Sequence, residues 1–328
     1  MNVTVTGAGG FIGRRLVRQL LDRGTVADAN GNPTPITKII ACDLALDGLP
    51  PDSRVERVEA DSSDSEVISR IVTNQTGAVF HLAAVVSVGA EEDFDLGMRV
   101  NLDTTRALLE TCRRIGKVPS FVFASSVAVY GGEMPPILED HTAPTPQTSY
   151  GTQKAICELL ISDYSRRGFV DGRSLRLPTV VVRPGKPNKA ASTFASSIIR
   201  DPLEGREVAC PVPADTSMFL LSPRKVVEAF IAAQATPSTK WGMIRALQLP
   251  GLTLSVCQML AALEEVAGPK AAARVKFEPN ARIEKIVYGW PTAFRATRAL
   301  KLGFTPDASM HDIIKAFIAD DLNGKFVA

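Results

Sequence analysis

The sequence predicts an α/β protein in which a doubly wound parallel sheet is accompanied by a smaller C-terminal α/β lobe. Short apolar, β-rich segments alternate with helical patterns through the first half of the 328-residue chain, as strands and crossover helices do in a parallel sheet covered on both faces. A glycine-rich turn lies directly between the first strand and the first helix. After Arg183 prolines break the pattern and amphipathic helices follow, which indicates a second architecture.

The individual elements follow from hydrophobic periodicity and from turn residues. The predicted strands are residues 3–6, 38–42, 55–58, 78–82, 120–124, 174–182 and 245–249. The predicted helices are residues 14–23, 66–74, 99–116, 150–167, 224–235, 254–267 and 309–320. The polar stretch 25–37 is predicted to be a loop, because it contains the turn-forming run Asn30-Gly31-Asn32-Pro33.

Composition excludes several classes of protein. Hydrophobic residues make up 45% and charged residues 22% of the chain, so a full core is expected. The formal net charge is only +2, and the basic residues are scattered, so neither nucleic acid nor a membrane surface is the expected partner. No apolar run reaches the ~18–20 residues that span a bilayer, and the opening MNVTVTGAGG predicts no secretory signal. The expected location is the cytoplasm.

The cysteine and histidine residues predict neither disulfides nor a metal site. The five cysteines are an odd number without a C-x-x-C pair, which argues against a disulfide framework. The three histidines are far apart in the sequence, and no metal cluster is predicted.

The run Gly7-Ala8-Gly9-Gly10-Phe11-Ile12-Gly13 has the spacing of a dinucleotide-binding turn. Gly7 permits the sharp turn, Gly10 lets the backbone approach a pyrophosphate, and Gly13 lets the helix pack on the strand. The helix N-terminus adds N–H groups and a positive dipole end for the phosphates. Although glycine also occurs in purely structural turns, this position between the first strand and the first helix predicts a Rossmann-type dinucleotide site.

The end of the second predicted strand selects the dinucleotide. Asp43 can accept hydrogen bonds from the ribose hydroxyls and would repel a 2′-phosphate, so NAD is expected over NADP. Its distance from Gly13 is longer than usual, which the polar insertion accounts for. Arg14 and Arg15 are the opposing signal, since arginines near the turn can hold a 2′-phosphate, but they are expected on the helix surface.

Other residues at strand ends have both a functional and a structural interpretation. Asp61 could receive the adenine amino group or simply cap the following helix. The run His81-Leu82-Ala83-Ala84 ends the fourth predicted strand with small residues that let backbone approach a cofactor, and His81 itself is interpreted as a core histidine. Asn101 opens a helix and could be only a polar helix residue.

The predicted chemical centre combines a serine, a tyrosine and a lysine. Ser126 follows the fifth predicted strand, and the run Tyr150-Gly151-Thr152-Gln153-Lys154 opens a helix. Tyr150 and Lys154 are four residues apart and therefore lie on one helix face. A phenol ordinarily has a pKa near ~10, and a neighbouring ammonium can lower such a pKa by ~1–3 units. The serine hydroxyl can hold the reacting oxygen and share its proton.

Taken together, these segments resemble the extended short-chain dehydrogenases/reductases, the NAD-dependent epimerase/dehydratase family, over nearly the whole chain. The strings that carry the resemblance are TGAGGFIG, HLAA, SSVAVYG, YGTQK and LGFTPDASMHDIIKAF. The resemblance implies that Tyr150 is the catalytic acid/base, that Lys154 binds the nicotinamide ribose, and that Ser126 rather than Ser125 is the catalytic serine.

The same resemblance assigns further roles. It implies that Asp61 contacts adenine, that Pro178 lies near the nicotinamide, and that Asn101 stabilises the active-site helix. It also implies a homodimer formed through helices 99–116 and 150–167. The expected cofactor-binding residues are Gly7, Gly10, Phe11, Ile12, Gly13, Asp43, Asp61, Leu82, Ala83, Ala84, Asn101, Tyr150, Lys154 and Pro178.

Departures from the family pattern bear on the substrate. Sugar-nucleotide epimerases and dehydratases often carry R-x-x-N-V-Y-G-P after the sixth strand, and here Thr179 replaces that asparagine. The Thr-Asp-Glu of dehydratases is replaced by Ser126-Val127-Ala128. The strings LGMRVNLD, TAPTPQTSYGTQK, SRRGFVDGRSLRLPT and VVRPGKPN instead resemble family members that oxidise the C2 hydroxyl of a four-carbon sugar acid, D-erythronate, to the 2-oxo acid.

A small sugar acid needs a cation for its carboxylate, and the planar donor fork of arginine matches a carboxylate. Arg183 is the first candidate, with Lys186 and Asn188 nearby in sequence, although Arg183 could instead pair within its own chain. The expected substrate-binding residues are Ser87, Ser126, Tyr150, Thr179 and Arg183.

The expected function is NAD-dependent oxidation of a short sugar acid at C2, from D-erythronate to 2-oxo-tetronate. Two alternatives stay open: a nucleotide-sugar 4-epimerase or dehydratase with tightly bound NAD, and a non-catalytic NAD(H)-sensing module. The predicted organisation is a dinucleotide-binding domain at 1–183, to which 222–250 returns, and a substrate-binding lobe at 184–221 and 251–328.

Overall fold

The computed structural model describes residues 1–185 and 191–327. Its strands, in chain order, are β1 (Asn2–Thr6), β2 (Thr25–Ala27), β3 (Pro33–Pro35), β4 (Lys38–Asp43), β5 (Val55–Glu59), β6 (Thr76–His81), β7 (Ser120–Ser126), β8 (Leu138–Glu139), β9 (Asp171–Leu177), β10 (Thr179–Val180), β11 (Val208–Cys210), β12 (Ser217–Leu221), β13 (Ala246–Gln248), β14 (Leu252–Ser255), β15 (Val275–Phe277) and β16 (Phe294–Arg295).

The helices are interleaved with these strands. They are α1 (Phe11–Arg23), α2 (Ser65–Ile71), α3 (Ser87–Glu92), α4 (Phe94–Gly97), α5 (Thr104–Arg114), α6 (Ser149–Arg166), α7 (Thr193–Leu203), α8 (Pro223–Ala235), α9 (Ser238–Trp241), α10 (Val256–Ala267), α11 (Pro269–Ala272), α12 (Ala281–Tyr288), α13 (Thr297–Lys301) and α14 (Met310–Asp321). A π-helical segment, Met98–Asp103, runs directly into α5.

The chain divides into two compact units. The first comprises Met1–Val129, Pro146–Arg176 and Val227–Gln248, and the second comprises Tyr130–Thr145, Leu177–Val226 and Leu249–Ala328. The return of a segment after residue 226 to the first unit puts β13 in its sheet. The domain boundaries derived from the sequence remain a prediction.

The first unit is built on a seven-stranded parallel sheet with the order β13-β9-β7-β6-β1-β4-β5. The chain therefore moves outward from β1 to β5 in one direction and returns to β6 on the other side of β1. That reversal, between β1 and β6, is the topological switch point at which doubly wound sheets bind ligands. The predicted doubly wound parallel fold is confirmed.

Both faces of this sheet are covered. On one face, side chains of α2, α5 and α6 pack with those of the strands in a shared core that includes Ile68, Leu108 and Ile161. Successive strand residues point to opposite faces, so Phe80 of β6 faces the other way, where its ring centre lies 6.5 Å from that of Phe230 on α8. Burial on both faces explains the apolar runs 39–42 of β4 and 78–80 of β6.

The second unit has its own core and smaller sheets. Strand β12 pairs in parallel with β10 and antiparallel with β14, and β11 pairs with β15. Helices α7, α10 and α14 contribute Ile198, Leu263 and Phe317 to one apolar cluster. This second unit therefore combines helices and strands in an α/β architecture.

Two predicted elements are wrong in detail. The stretch 25–37 is not only a loop, because β2 and β3 form a short antiparallel hairpin within it. The single strand predicted for 174–182 is two strands in different sheets, β9 and β10, separated by Pro178. Proline has no N–H to donate and interrupts a strand ladder.

The helix predicted for 99–116 begins as a π-helix and becomes α-helical at Thr104. Single π-helical turns widen the helix locally and are frequent at functional sites. Residue Asn101, one of the predicted site residues, lies within this turn and is 1% exposed.

Candidate active site

The glycine turn connects β1 to α1 at the switch point and is in close contact with neighbouring backbone. A Cβ on Gly7, whose φ is +70°, would lie 2.6 Å from the Ala83 nitrogen. A Cβ on Gly13 would lie 2.1 Å from the Gly7 carbonyl oxygen. Both positions therefore require glycine, because backbone atoms stand where a side chain would begin.

The N-terminus of α1 has the features of an anion site. Gly10 caps the 13-residue helix without a side-chain hydrogen bond, and no acidic residue lies in the first turn. The first N–H groups of a helix have no intrahelical acceptors and carry the positive end of the dipole. Phe11 and Ile12 form that first turn, with Ile12 buried against the core. This cradle fits a pyrophosphate.

Asp43 ends β4 beside this turn. Its carboxylate accepts hydrogen bonds from the Gly9 amide at 2.9 Å and from its neighbour Leu44 at 2.7 Å. These bonds fix the carboxylate at the end of the strand, where a ribose acceptor is expected in a dinucleotide site. The Arg14 side chain instead donates to the Asp47 carbonyl oxygen at 3.1 Å, as expected for a helix-surface arginine.

Asp61 follows β5, and its carboxylate accepts the Ser63 amide at 2.8 Å. The cap of α2 is Asp64, which accepts the Glu66 amide. The capping function that the sequence offered as an alternative for Asp61 therefore belongs to Asp64, three residues later. The adenine contact stays a prediction.

The segment after β6 is held against β1 by a hydrogen-bonded chain through His81. The Ala83 amide donates to the Thr6 hydroxyl at 3.4 Å, and that hydroxyl lies 2.6 Å from His81 Nδ1. His81 Nε2 lies 2.9 Å from the Thr105 hydroxyl, which donates to the Asn101 carbonyl at 2.8 Å. Because Thr105 donates its hydroxyl proton to that carbonyl, its oxygen can only accept a hydrogen bond from His81. His81 therefore carries its proton on Nε2.

His81 is therefore a satisfied core residue. It is completely buried, and burial together with the charge of Lys154 lowers its pKa from 6.5 to about 3. The neutral ring joins β6 to the π-helical turn and supports the half-buried Leu82, Ala83 and Ala84.

Asn101 holds the continuation of the same segment. Its side-chain oxygen accepts the Val85 amide at 2.8 Å, and its side-chain nitrogen donates to the Val85 carbonyl at 3.0 Å and to Gln153 Oε1 at 2.7 Å. Gln153 lies on α6 between Tyr150 and Lys154 and is 1% exposed. The Asn101 amide therefore links the backbone after β6 to α6, and this segment leads directly to Ser87, the half-buried first residue of α3.

Helix α6 begins beside the end of β7. A Cβ on Gly151 would lie 2.0 Å from the Ala128 carbonyl oxygen, so only glycine permits this approach. Thr148 caps the helix by accepting the Gly151 amide at 3.1 Å. The contact brings the first turn of α6, which carries Tyr150, next to the turn that follows Ser126. The Ser126 hydroxyl accepts the Ala128 amide at 3.1 Å.

Lys154 extends from α6 to the end of β7. Its ammonium donates to the Ala124 carbonyl at 2.8 Å and lies 5.5 Å from the centre of the Tyr150 ring. It also lies 4.5 Å from the centre of the Phe123 ring, a favourable cation–π distance. The structure thus brings the predicted serine, tyrosine and lysine together within the first unit.

Burial makes the Lys154 charge sensitive to pH. The side chain is 1% exposed, and burial lowers its pKa from 10.5 to about 8, against opposing interactions with Cys157 and Glu158. The lysine is an ammonium at neutral pH, and this positive charge near the phenol favours the phenolate.

The remaining predicted residues belong to the second unit. Pro178 is buried and Thr179 begins β10. The Arg183 guanidinium donates to the Val180 carbonyl at 3.0 Å and to the Ser192 hydroxyl at 3.2 Å. Lys186 and Asn188 lie outside the described residues.

Sequence reasoning missed three residues of the site. A Cβ on Gly9 would lie 1.9 Å from the Ala45 carbonyl, and only its position within the glycine run signals this constraint. Gly151 stands inside the predicted Y-x-x-x-K run, but the contact that requires it comes from Ala128, in the turn after β7. Gln153 gave no signal, because its role depends on a partner 52 residues away.

The fold and these residues define a dinucleotide-binding enzyme with a serine, tyrosine and lysine set. Residues 3–241 match the sequence model of the NAD dependent epimerase/dehydratase family, and the chain belongs to that family. The predictions of an enzyme, of this family and of NAD as the cofactor are confirmed.

Individual relatives cover the whole chain. The D-erythronate dehydrogenase of Cupriavidus necator is 54% identical over 98% of both chains. The D-erythronate dehydrogenase of Haemophilus influenzae is 44% identical over 98% of this chain and 100% of its own. A crystal structure described as a nucleoside-diphosphate-sugar epimerase from Agrobacterium tumefaciens is 42% identical, with a TM-score of 0.92 over 99% of this chain and 95% of its own.

Proposed function

We propose that this enzyme oxidises the C2 hydroxyl of D-erythronate with NAD and produces 2-oxo-tetronate. The observation that carries the proposal is the 54% identity, over 98% of both chains, to a D-erythronate dehydrogenase. The serine, tyrosine and lysine set is consistent with this reaction, because it can accept a proton from a secondary alcohol.

The proposed chemistry assigns one task to each of three side chains. Tyr150 as phenolate takes the proton of the C2 hydroxyl, Ser126 donates a hydrogen bond to the same oxygen, and Lys154 stabilises the phenolate by its charge. When bound, NAD supplies the acceptor for the hydride that leaves C2. The C2–H and O–H bonds break, the C2–O bond becomes a carbonyl, and one proton is released.

The glycine turn and its surroundings are the proposed NAD site. The N-terminal turn of α1 would hold the pyrophosphate, and the Asp43 carboxylate would accept the ribose hydroxyls. Asp61, Asn101, Pro178 and the 82–84 segment are proposed to complete the site.

The carboxylate of the substrate requires a cation, and Arg183 is proposed for this role. Its guanidinium donates to the Val180 carbonyl and to the Ser192 hydroxyl, which orient its planar donor fork. Thr179 and Ser87 are proposed for the sugar hydroxyls.

The experiment that tests the function is a substrate panel. Purified enzyme is mixed with NAD and aldonic acids from glycerate to gluconate, and NADH absorbance is followed. The proposal requires D-erythronate to give the highest kcat/KM, with the 2-oxo acid as product. The proposal would be overturned if none of these acids gave net formation of NADH.

A second candidate is epimerisation of a nucleotide sugar, favoured by the 42% identity to the crystal structure described as a nucleoside-diphosphate-sugar epimerase. Such an enzyme keeps its dinucleotide bound and returns the hydride, so it converts a nucleotide sugar without accumulating NADH. Incubation with UDP- and dTDP-sugars, followed by chromatography, distinguishes the two. Thr179 in place of the expected asparagine favours the dehydrogenase.

We also propose a homodimer and a cytoplasmic location. Helix α6 exposes 72% of Leu159, which supports a homodimer formed through residues 99–116 and 150–167. Sedimentation equilibrium of the wild type and of Leu159→Glu tests this.

Among the described helices, none is both long and apolar enough to cross a membrane. All five cysteines are described and none forms a disulfide, which supports a reducing compartment, the cytoplasm.

A further inference from the structure

A buried ion pair lies one helical turn beyond Lys154. Glu158 of α6 is 3% exposed and Arg176 of β9 is 7% exposed. The Arg176 Nε donates to the two carboxylate oxygens at 2.9 and 3.1 Å, and its Nη2 donates to one of them at 2.6 Å. The Ser125 hydroxyl, itself 2% exposed, donates to the same carboxylate at 2.5 Å.

Stability alone does not account for this arrangement. Removing two charges from water costs several kcal/mol per ion, and apolar side chains of similar volume often stabilise a protein as well or better. The pair is well bonded, so it does not strain the fold, but its placement beside the reacting groups calls for another explanation.

The placement connects the two elements that carry the reacting groups. Consecutive residues at the end of β7 are bonded to α6 one turn apart, since the Ala124 carbonyl accepts from Lys154 and the Ser125 hydroxyl donates to Glu158. The next residue is Ser126. Two bonds to successive turns of one helix fix both the position and the rotation of this strand end.

We propose that Glu158 is a positioning residue for the reaction, which fixes Ser126 and Lys154 relative to each other by binding Ser125 and Arg176. This inference rests on the proposed function, because it concerns the proton transfer at Tyr150. The carboxylate has a second effect through its charge, which opposes the loss of the Lys154 proton caused by burial.

The charges around Lys154 come from several elements. Tyr150, Cys157 and Glu158 lie on α6, His81 lies on β6, and Arg176 of β9 acts through Glu158. The pKa of His81 is about 3 and burial raises the pKa of Cys157, so both are neutral near pH 7. Glu158 is therefore the charged group of this set that changes when it is replaced by glutamine.

The first experiment uses Glu158→Gln, which keeps an acceptor for Ser125 and removes the charge. We expect kcat to fall on the order of 10- to 100-fold, because the ion pair with Arg176 that holds this side chain in place is lost and the protonated form of Lys154 is less favoured, with KM for NAD unchanged. Asp163→Asn is the matched control, since Asp163 lies on the same helix and is paired with Arg166 at 58% exposure. It should retain wild-type kcat.

The second experiment measures the phenol directly, without substrate or cofactor. Phenolate absorbance is titrated for wild type and Glu158→Gln, each after subtraction of its Tyr150→Phe counterpart. The lysine loses its proton more readily without Glu158, so the Tyr150 midpoint should rise by about one pH unit. A role in stability alone would leave this midpoint unchanged.

Two further variants separate the effect of side-chain position from the effect of charge. They also keep the proposal testable if Glu158→Gln does not fold. Ser125→Ala removes only the contact to the strand end, so kcat should fall while the phenolate midpoint stays. If Glu158→Gln does not fold, the double variant Glu158→Gln/Arg176→Met removes both charges and still tests kcat. Wild-type kcat in the Ser125→Ala and folded Glu158 variants, with an unshifted midpoint, overturns the proposal. If wild type does not oxidise sugar acids but the midpoint still shifts, only the proposed function fails.

Discussion

The Lys154 ammonium lies 5.5 Å from the centre of the Tyr150 ring, one helical turn away on α6, while its proton is shared with the Ala124 carbonyl at 2.8 Å. The lysine is thus anchored to the sheet and not to the phenol. Its contribution to Tyr150 is the electrostatic field of a buried charge, which needs no direct bond and acts strongly at low dielectric.

Tyr150→Phe removes the proton acceptor and leaves the ring in place. We expect kcat to fall ~10²–10⁴-fold, the range of general acid–base contributions, while the NAD dissociation constant stays within about twofold, since the glycine turn is unchanged. Stopped assays of NADH give the first quantity, and calorimetric titration with NAD gives the second. Near-wild-type turnover would remove Tyr150 as the acid/base.

Replacement of Lys154 by methionine should change the pH dependence of stability. Burial lowers the pKa of Lys154 from 10.5 to about 8, so between pH 8 and 10.5 the unfolded chain binds more protons than the native one. The free energy of unfolding therefore rises with pH in this window because of Lys154, by up to about 1.4 kcal/mol per pH unit.

The Lys154→Met variant lacks this contribution, so its stability curve should be flatter than that of wild type from pH 8 to 10.5. Below pH 8 Lys154 is protonated in both the native and the unfolded wild type, so the two stability curves should run parallel there. Urea unfolding at several pH values measures the difference. Parallel curves above pH 8 as well would mean that Lys154 is not desolvated.

His81→Gln tests how the stability of the protein depends on pH below neutrality. Burial and the charge of Lys154 lower the pKa of His81 from 6.5 to about 3, so the neutral ring contributes stability above pH 6.5 that is lost as the pH falls toward 3. Wild type should lose stability more steeply than the variant over that interval, by up to about 1.4 kcal/mol per pH unit. Equal slopes would contradict a buried neutral histidine.

The glycine turn, the serine, tyrosine and lysine set and the parallel sheet were all predictable because each is encoded locally. Gly7 and Gly13 occupy fixed positions in one turn, and Tyr150 and Lys154 are separated by one helical turn. The hairpin within 25–37 was not predictable, because its strands Thr25–Ala27 and Pro33–Pro35 contain two prolines and only three residues each.

The contacts that position the site could not be read from local patterns. Asn101 binds Gln153 and Ser125 binds Glu158 across 52 and 33 residues, and only the folded topology brings these pairs together. Pro178, in contrast, could have been read from the sequence as the end of a strand, because proline has no N–H to donate. The prediction of a single strand across it did not take this into account.

Gly9→Ala tests the turn itself. Its Cβ would lie 1.9 Å from the Ala45 carbonyl oxygen, so the backbone must move and the Gly9–Asp43 hydrogen bond is lost. We expect at least about tenfold weaker NAD binding, because a charged acceptor loses its partner. Gly289→Ala is the control, since its nearest contact is 3.4 Å and its φ is −78°. Unchanged NAD affinity in Gly9→Ala would show that the turn tolerates displacement.

Arg183→Met tests the proposed carboxylate site. A hydrogen bond to a charged group contributes about 1.5–3 kcal/mol, so KM for D-erythronate should rise roughly ten- to hundredfold, while KM for NAD stays the same. Arg183→Lys should recover part of the loss, because the charge remains but the planar fork does not. Arg206→Met is the control, since Arg206 is 55% exposed and pairs with Asp201 and Glu204.

The readout must separate substrate binding from the fold, because the Arg183 side chain also bonds Val180 and Ser192 within its own unit. Loss of those bonds alone would lower the melting temperature and affect both substrates or neither. A rise confined to KM for the acid, with KM for NAD unchanged, therefore assigns the carboxylate to Arg183. An uncharged analogue, the erythronate amide, sharpens the test: the wild type should discriminate against it, whereas Arg183→Met should bind the acid and the amide nearly equally.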